Sequence, residues 1–74
     1  MCLAIPAKIV EMKGDGLATA EILGVTRDVA LDLVPTARLG DYVLVHAGFA
    51  IEVVEPEYAQ ETLELVKQLE EVAL

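Results

Sequence analysis

Five short apolar runs, each closed by a glycine or proline signal, dominate this chain and leave it little choice but strands. They are Leu3 to Met12, Leu17 to Leu23, Val25 to Val34, Tyr42 to His46 and Phe49 to Val54. Runs of this length, bounded by Gly, Asp and Pro, are strand-sized and too short for a stable isolated helix. Lys13-Gly14-Asp15-Gly16 ends the first run, Gly24 the second and Pro35 the third. Thr36 to Arg38 connect onward, and Gly40-Asp41 opens the fourth run. Ala47-Gly48 then reads as the tight turn of a hairpin joining the fourth and fifth runs.

The third run has the clearest period of two. Val25, Val29, Leu31 and Leu33 fall on one face, with Thr26, Asp28, Ala30 and Asp32 on the other. This predicts a half-buried strand through Val34 that Pro35 stops. Arg27 breaks the apolar face, which predicts a position near a barrel end or a side chain that snorkels outward. From Pro56 the period changes. Pro56 suits the first position of a helix, and Glu57 and Glu61 suit the positive end of its dipole. Tyr58, Thr62, Leu65, Leu69 and Val72, with Val66 beside them, form an apolar stripe, and glutamates fill most of the remaining surface. The expected fold is mainly β: a small OB-like five-stranded β-barrel followed by a C-terminal α-helix. Closure is favoured because open edges aggregate. Residues 1–74 read as a single domain, with the barrel over about 3–54 and the helix over about 56–72.

The chain has 74 residues, so it buries only roughly 60–65% of its unfolded surface. Its 55% apolar content offsets that; most of it is Val, Leu, Ile and Ala, with no Trp, which predicts a core of branched aliphatics. The net charge is −8, and the five basic residues, Lys8, Lys13, Arg27, Arg38 and Lys67, are scattered. No basic stripe exists to neutralise phosphates, and aromatic platforms are few, so neither nucleic acid nor an anionic membrane is expected as a partner. A basic protein partner suits the charge better. One cysteine excludes an intrachain disulfide. No charged n-region or membrane-length apolar segment occurs, so the expected location is the reducing cytoplasm.

Two side chains stand out for chemistry. Removal of Met1 would make Cys2 the N-terminal residue, with its thiol beside an α-ammonium that favours the thiolate, the form that binds metals. Pro6 stiffens the arm behind it by fixing its own φ and biasing Ile5 to extended backbone. A lone cysteine is otherwise a small buried hydrophobe. His46, the single histidine, ends the fourth run beside a tight turn, where it is either a ligand and proton carrier or a residue bonded to backbone. Together the two supply one soft and one borderline ligand. That is half of a structural zinc site, or a Cys–His dyad lacking a third orienting group. The carboxylates show no metal-ligand spacing, and the Lys13–Gly16 turn is too short for a phosphate loop.

Met1-Cys2-Leu3-Ala4-Ile5-Pro6 resembles the opening signature of the HypC/HupF family of hydrogenase maturation chaperones. Gly40 to Ile51, reading Gly-Asp-Tyr-Val-Leu-Val-His-Ala-Gly-Phe-Ala-Ile, resembles that family's strand–turn–strand block, with its histidine in place. The resemblance spans essentially the whole chain. Ala7 departs from it, since the family commonly has Gly there; Ala is expected to be tolerated as an ordinary strand residue. The resemblance implies an OB-like barrel with a helix and no catalytic turnover. It implies a transient cargo, iron carrying cyanide and carbon monoxide, and no permanent cofactor. It further implies two partners, a HypD-like maturation protein and the precursor of the [NiFe]-hydrogenase large subunit. Cys2 corresponds to the family's essential cysteine and His46 to its histidine. Cys2 is then expected to bind the metal, with His46 as a second ligand or positioning group, and Leu3, Ala4, Ile5 and Pro6 to hold and present the arm. A soft thiolate suits iron whose diatomic ligands fill other positions, and a ligand on an exposed arm can be surrendered by exchange. The competing readings are an interaction module using the barrel face or the acidic helix, and a small thiol enzyme using Cys2 and His46.

Overall fold

The computed structural model describes residues 5–72, with side chains through residue 68. Five strands precede one helix: β1 (Ile5–Gly14), β2 (Leu17–Ile22), β3 (Val25–Ala30), β4 (Tyr42–His46), β5 (Phe49–Val54) and α1 (Pro56–Val72). The strands close into a barrel in the order β1-β2-β3-β5-β4. All neighbours are antiparallel except β3 and β5, which meet in parallel at Ala30 and Phe49. The expected mainly β barrel with one following helix is the observed architecture.

Closure depends on β1, whose ten residues pair with both β2 and β4. Its N-terminal half runs beside β4, from Ile5 with Val45 to Lys8 with Tyr42. Its C-terminal half runs beside β2, and register shifts between Ile9 and Glu11 and between Met12 and Gly14 interrupt that pairing. Such irregularities bend a strand, which is what lets one strand serve two parts of a small barrel. The connection before β4 continues the ladder: Ile9 N–H donates to Asp41 O at 2.9 Å and Gly40 N–H to Ile9 O at 2.9 Å. The β3–β5 seam is thinner. Beyond the Ala30–Phe49 pair it has one cross-link, from Ala30 N–H to Gly48 O at 2.9 Å.

Three hairpin turns have both central residues at positive φ: Asp15-Gly16, Leu23-Gly24 and Ala47-Gly48. That is the two-residue turn whose twist matches paired strands. Leu23 (φ 49°) and Ala47 (φ 54°) adopt the left-handed region despite carrying a Cβ.

The core is narrower than a core of branched aliphatics would be. Ala7, Ala18, Ala20, Ala37 and Ala50 fill it together with Ile9, Val29, Leu31, Val34 and Val43. A five-stranded barrel has little interior width, so small side chains must alternate with larger ones. Ala7 is fully buried and has no positive φ, so it is an ordinary inward strand residue.

The third strand ends earlier than its alternation predicts. β3 stops at Ala30, and a turn follows in which Val34 N–H donates to Leu31 O at 3.0 Å. Val29 and Leu31 are buried, but Val25 (57%) and Leu33 (63%) are exposed. The pattern outlasts the strand because Leu31, Val34 and Ala37 seal the barrel from the connecting segment rather than from a ladder.

The helix begins at Pro56 as expected, but its buried face is rotated from the predicted stripe. Ala59 is fully buried and Thr62, Leu63 and Val66 are half-buried, whereas Tyr58 and Leu65 are exposed. Thr62 and Val66 are common to both stripes. The helix packs on β1, and an alanine permits close approach where a hydropathy pattern gives it little weight. The expected strand residues Leu3 and Ala4 lie outside the described residues, as do the side chains of Leu69 and Val72.

Candidate functional site

The site is built around the start of β1. Ile5 pairs with Val45 and Pro6 with Leu44, so the two sequence blocks that carry chemical interest are adjacent strands. Ala7 and Ile9 point into the barrel, which puts Pro6 in the outward set of β1. Pro6 is nevertheless fully buried, and α1, packed on β1, is the element available to cover it. Its missing N–H is not needed on the β2 side, where pairing begins only at Lys8. Pro6 therefore anchors the strand start firmly while breaking no ladder there.

His46 ends β4 one step beyond the Ile5–Val45 pair and lies opposite Phe49. Cross-strand partners share a face. Val43 is fully buried and Val45 packs on the core, so Tyr42, Leu44 and His46 line the outer face, and His46 is half-buried there. The tight Ala47-Gly48 turn fixes the strand end from which the imidazole projects. Cys2, Leu3 and Ala4 lie outside the described residues. Two residues separate Cys2 from Ile5, and the three chain steps between them reach at most about 10 Å. Among the described residues, no three His, Cys, Asp or Glu side chains gather to hold a metal ion. His46 is the one histidine ligand available from them. No polar or charged side chain among them is buried.

The sequence reading missed the surface beside this strand start. Ile5, Ile22, Leu23, Val25, Arg27 and Val66 line a groove of about 430 Å³ between β1, the β2–β3 hairpin and α1. Ile5 and Ile22 share the inward parity of Ala7 and Ala20, so the groove is the barrel mouth widened by the hairpin and the helix. The one available signal was Arg27, which interrupts the alternation of β3 and stands at the mouth, as its place in that pattern predicts. A second depression, of about 340 Å³, lies on the outer β4–β5 face and is lined by Leu44, Glu52, Val53, Val54, Glu55 and Tyr58. Elsewhere the outer surface is tied by ordinary cross-strand contacts. Lys13 Nζ donates to both carboxylate oxygens of Asp28 at 3.2 Å, and Thr19 Oγ1 donates to Asp28 Oδ1 at 3.2 Å. Among the described residues, no helix is long and apolar enough to cross a membrane.

A closed five-stranded barrel followed by one helix, with its first strand paired to the strand that ends in His46, defines a small closed-barrel class. The chain belongs to the HupF/HypC family, whose model matches residues 1–66. It is 46% identical over 72 residues to hydrogenase maturation factor HypC of Cupriavidus necator, covering 97% of this chain and 80% of that protein. Against the HypC of Helicobacter hepaticus it is 43% identical over 70 residues, covering 93% and 81%. Hydrogenase maturation factor HybG of Escherichia coli K12 is 34% identical over 76 residues, covering 95% of this chain and 93% of its own length.

Proposed function

We propose that this protein is a hydrogenase maturation chaperone that carries iron bearing cyanide and carbon monoxide to the precursor of the [NiFe]-hydrogenase large subunit. Its proposed partner in assembling that cargo is a HypD-like protein, and its place of work is the cytoplasm. Cys2 supplies a thiolate ligand to the iron, and His46 is a second ligand or a group that positions the cargo. The observation that carries this reading is the pairing of Ile5 with Val45 and Pro6 with Leu44. It makes neighbours of the strand leading from Cys2 and the strand ending in His46. Membership of the family supports it as well.

The chemistry follows from the shape of the site. A chaperone must hold its metal well enough to carry it and weakly enough to release it. A closed cage of four protein ligands fails the second condition. One thiolate on a short tether avoids that, because the diatomic ligands stay on the iron while the sulfur is exchanged for a partner's ligand. Burial of Pro6 gives the tether a fixed root.

The test is a pull-down of tagged protein from hydrogenase-producing cells, wild type beside Cys2→Ala, with infrared spectra of the eluates. The expected result is cyanide and carbon monoxide stretches in the wild-type eluate and none in the variant. Normal hydrogenase maturation with Cys2→Ala would sink the proposal. A docking module without metal is the second reading. The depression lined by Leu44, Val53, Val54 and Tyr58 together with Glu52 and Glu55, of mixed polar and apolar character, favours it. Partners retained without diatomic bands in either sample would select that reading.

A further inference from the structure

We propose that the solvent side of α1, with the outer β4–β5 surface beside it, docks a basic amphipathic helix of a partner protein. The inference deepens the docking reading by naming that partner's chemistry, and rests on it; it involves neither the Cys2 arm nor the iron. It begins with the helix, which carries more apolar surface than the barrel uses. Ala59 is fully buried, Thr62, Leu63 and Val66 are half-buried, and α1 packs on β1. Tyr58 and Leu65 lie beside that buried arc and are 52% and 60% exposed. Seven residues apart in sequence, they project at nearly the same angle, about 10 Å from one another along the helix axis.

Each of the two opens onto a depression. Tyr58 meets Leu44, Val53 and Val54 in the one on the outer β4–β5 surface. Leu65 lines a second, of about 520 Å³, with Gln60, Glu61 and Glu64, where the stems of the long polar side chains add to its apolar surface. Glu61 stands three residues after Tyr58 and four before Leu65, one turn from each, and joins them into one track. An exposed tyrosine and leucine on one line are the residue types that anchor interfaces rather than those that keep a helix soluble.

Charge decides what covers the track. Glu52, Glu55, Glu57, Glu61 and Glu64 are all exposed along it, and none has an ion pair or side-chain hydrogen bond among the described residues. No lysine or arginine stands between Arg38 and Lys67 to offset them. Around the helix, Glu57, Glu61 and Glu64 fall on the side of Tyr58 and Leu65 that faces away from the buried arc. A segment laid on the two apolar side chains therefore turns its flank to these carboxylates. Lysine or arginine on that flank is attracted, and aspartate or glutamate is repelled. A second copy of this chain would bring its own glutamates against them, so the charge favours a different, basic protein. Two apolar side chains two turns apart match the ridge of a neighbouring helix, which selects a helix as the docked segment.

The probe is a synthetic amphipathic helix with leucines on one face and lysines on the other, titrated into the full chain and followed by NMR shifts. The same peptide with glutamates in place of lysines is the control. Shifts confined to Leu44, Val53, Val54 and the Tyr58–Leu65 side of α1 are expected with the basic peptide, and no binding with the acidic one. Leu65→Ser is expected to weaken binding at least about tenfold, the loss of one anchor. Glu61→Lys is expected to weaken it about fivefold, and more than Glu11→Lys, which changes the net charge equally from the exposed side of β1. Melts confirm that the variants are folded, and the wild-type shift map decides even where one is not. Shifts spread over the whole surface, or equal losses in Glu61→Lys and Glu11→Lys, would reduce the effect to net charge and overturn the proposal. A photo-reactive phenylalanine analogue at position 65 of the tagged chain then identifies the native occupant in hydrogenase-producing cells, through mass spectrometry of the joined peptides. A helical segment rich in lysine and arginine is expected. Joining to a second copy or to an acidic segment would overturn the proposal. So would no joining while a partner still co-purifies, and the docking reading would then survive at another surface. If no partner co-purifies with the wild type, the docking reading fails and this inference with it.

Discussion

Ala47 and Leu23 hold backbone that their side chains disfavour, and each is followed by a glycine that does not. A β-carbon in the left-handed region costs roughly 1 kcal/mol, and Asn tolerates that region better because its side chain bonds locally. Ala47→Asn is therefore expected to raise the melting temperature by about 4–8 °C, the shift that 1 kcal/mol produces in a domain of this size. A thermal melt followed by circular dichroism checks it. Gly16 predicts the opposite sign. Its φ is +76°, and a β-carbon built there would meet Asp32 Oδ1 at 2.8 Å, so Gly16→Ala is expected to lower the melting temperature by several degrees. In the core, Ile9 is fully buried among small side chains that cannot close over a void. Ile9→Val is expected to cost about 0.5–1.5 kcal/mol in a urea titration, with an unchanged slope. These positions differ in how far a sequence reveals them. Gly16 and Gly48 announce turns, but Leu23 and Ala47 carry no mark of positive φ, because nothing in Leu or Ala prefers it.

At the scale of elements, the helix tests which of two stripes is real. Ala59 is fully buried and Leu65 is 60% exposed, although Leu is the more hydrophobic residue. Ala59→Glu is expected to destabilise by several kcal/mol, since it buries an unpaired carboxylate, whereas Leu65→Glu is expected to stay within about 0.5 kcal/mol. Urea midpoints of the two variants measure the difference; equal midpoints would place the barrel-facing side of the helix elsewhere. The hairpins were readable because a glycine follows each left-handed residue. The early end of β3 was not, because Leu31, Val34 and Ala37 are as buried as strand residues while belonging to a connection. Alternation reports burial, and burial coincides with strand only while a ladder continues. The half-buried His46 and the buried Pro6 were legible as landmarks, but their adjacency depends on the β1–β4 register, which joins residues some forty positions apart in the chain.

For the whole molecule, charge is the dominant feature. A net charge of −8 on a barrel with one exposed ion pair among the described residues leaves repulsion largely uncompensated. The melting temperature is expected to rise as sodium chloride increases from about 0.01 M to 0.15 M, where the screening length falls from about 30 Å to 8 Å. The Lys13–Asp28 pair opposes this only slightly, because both partners are solvent-exposed. A melting temperature that fell over that range would mean attractive pairs outweigh the repulsion. The same negative surface favours basic partners.

Composition, run length and turn chemistry were enough to determine a five-stranded barrel with one helix, because strand, turn and helix preferences are local and here agree with one another. The sequence also marked Cys2, His46 and Arg27, each through its type and its place in a pattern. Tertiary structure decided the rest. Shear and strand order fixed which residues meet: Ile5 beside Val45, and Arg27 in one groove with Ile5 and Val66. It chose Ala59 over Tyr58 as the buried side of the helix and ended β3 at Ala30. These outcomes depend on the width of a closed barrel and on contacts between distant segments, and no local preference encodes either one.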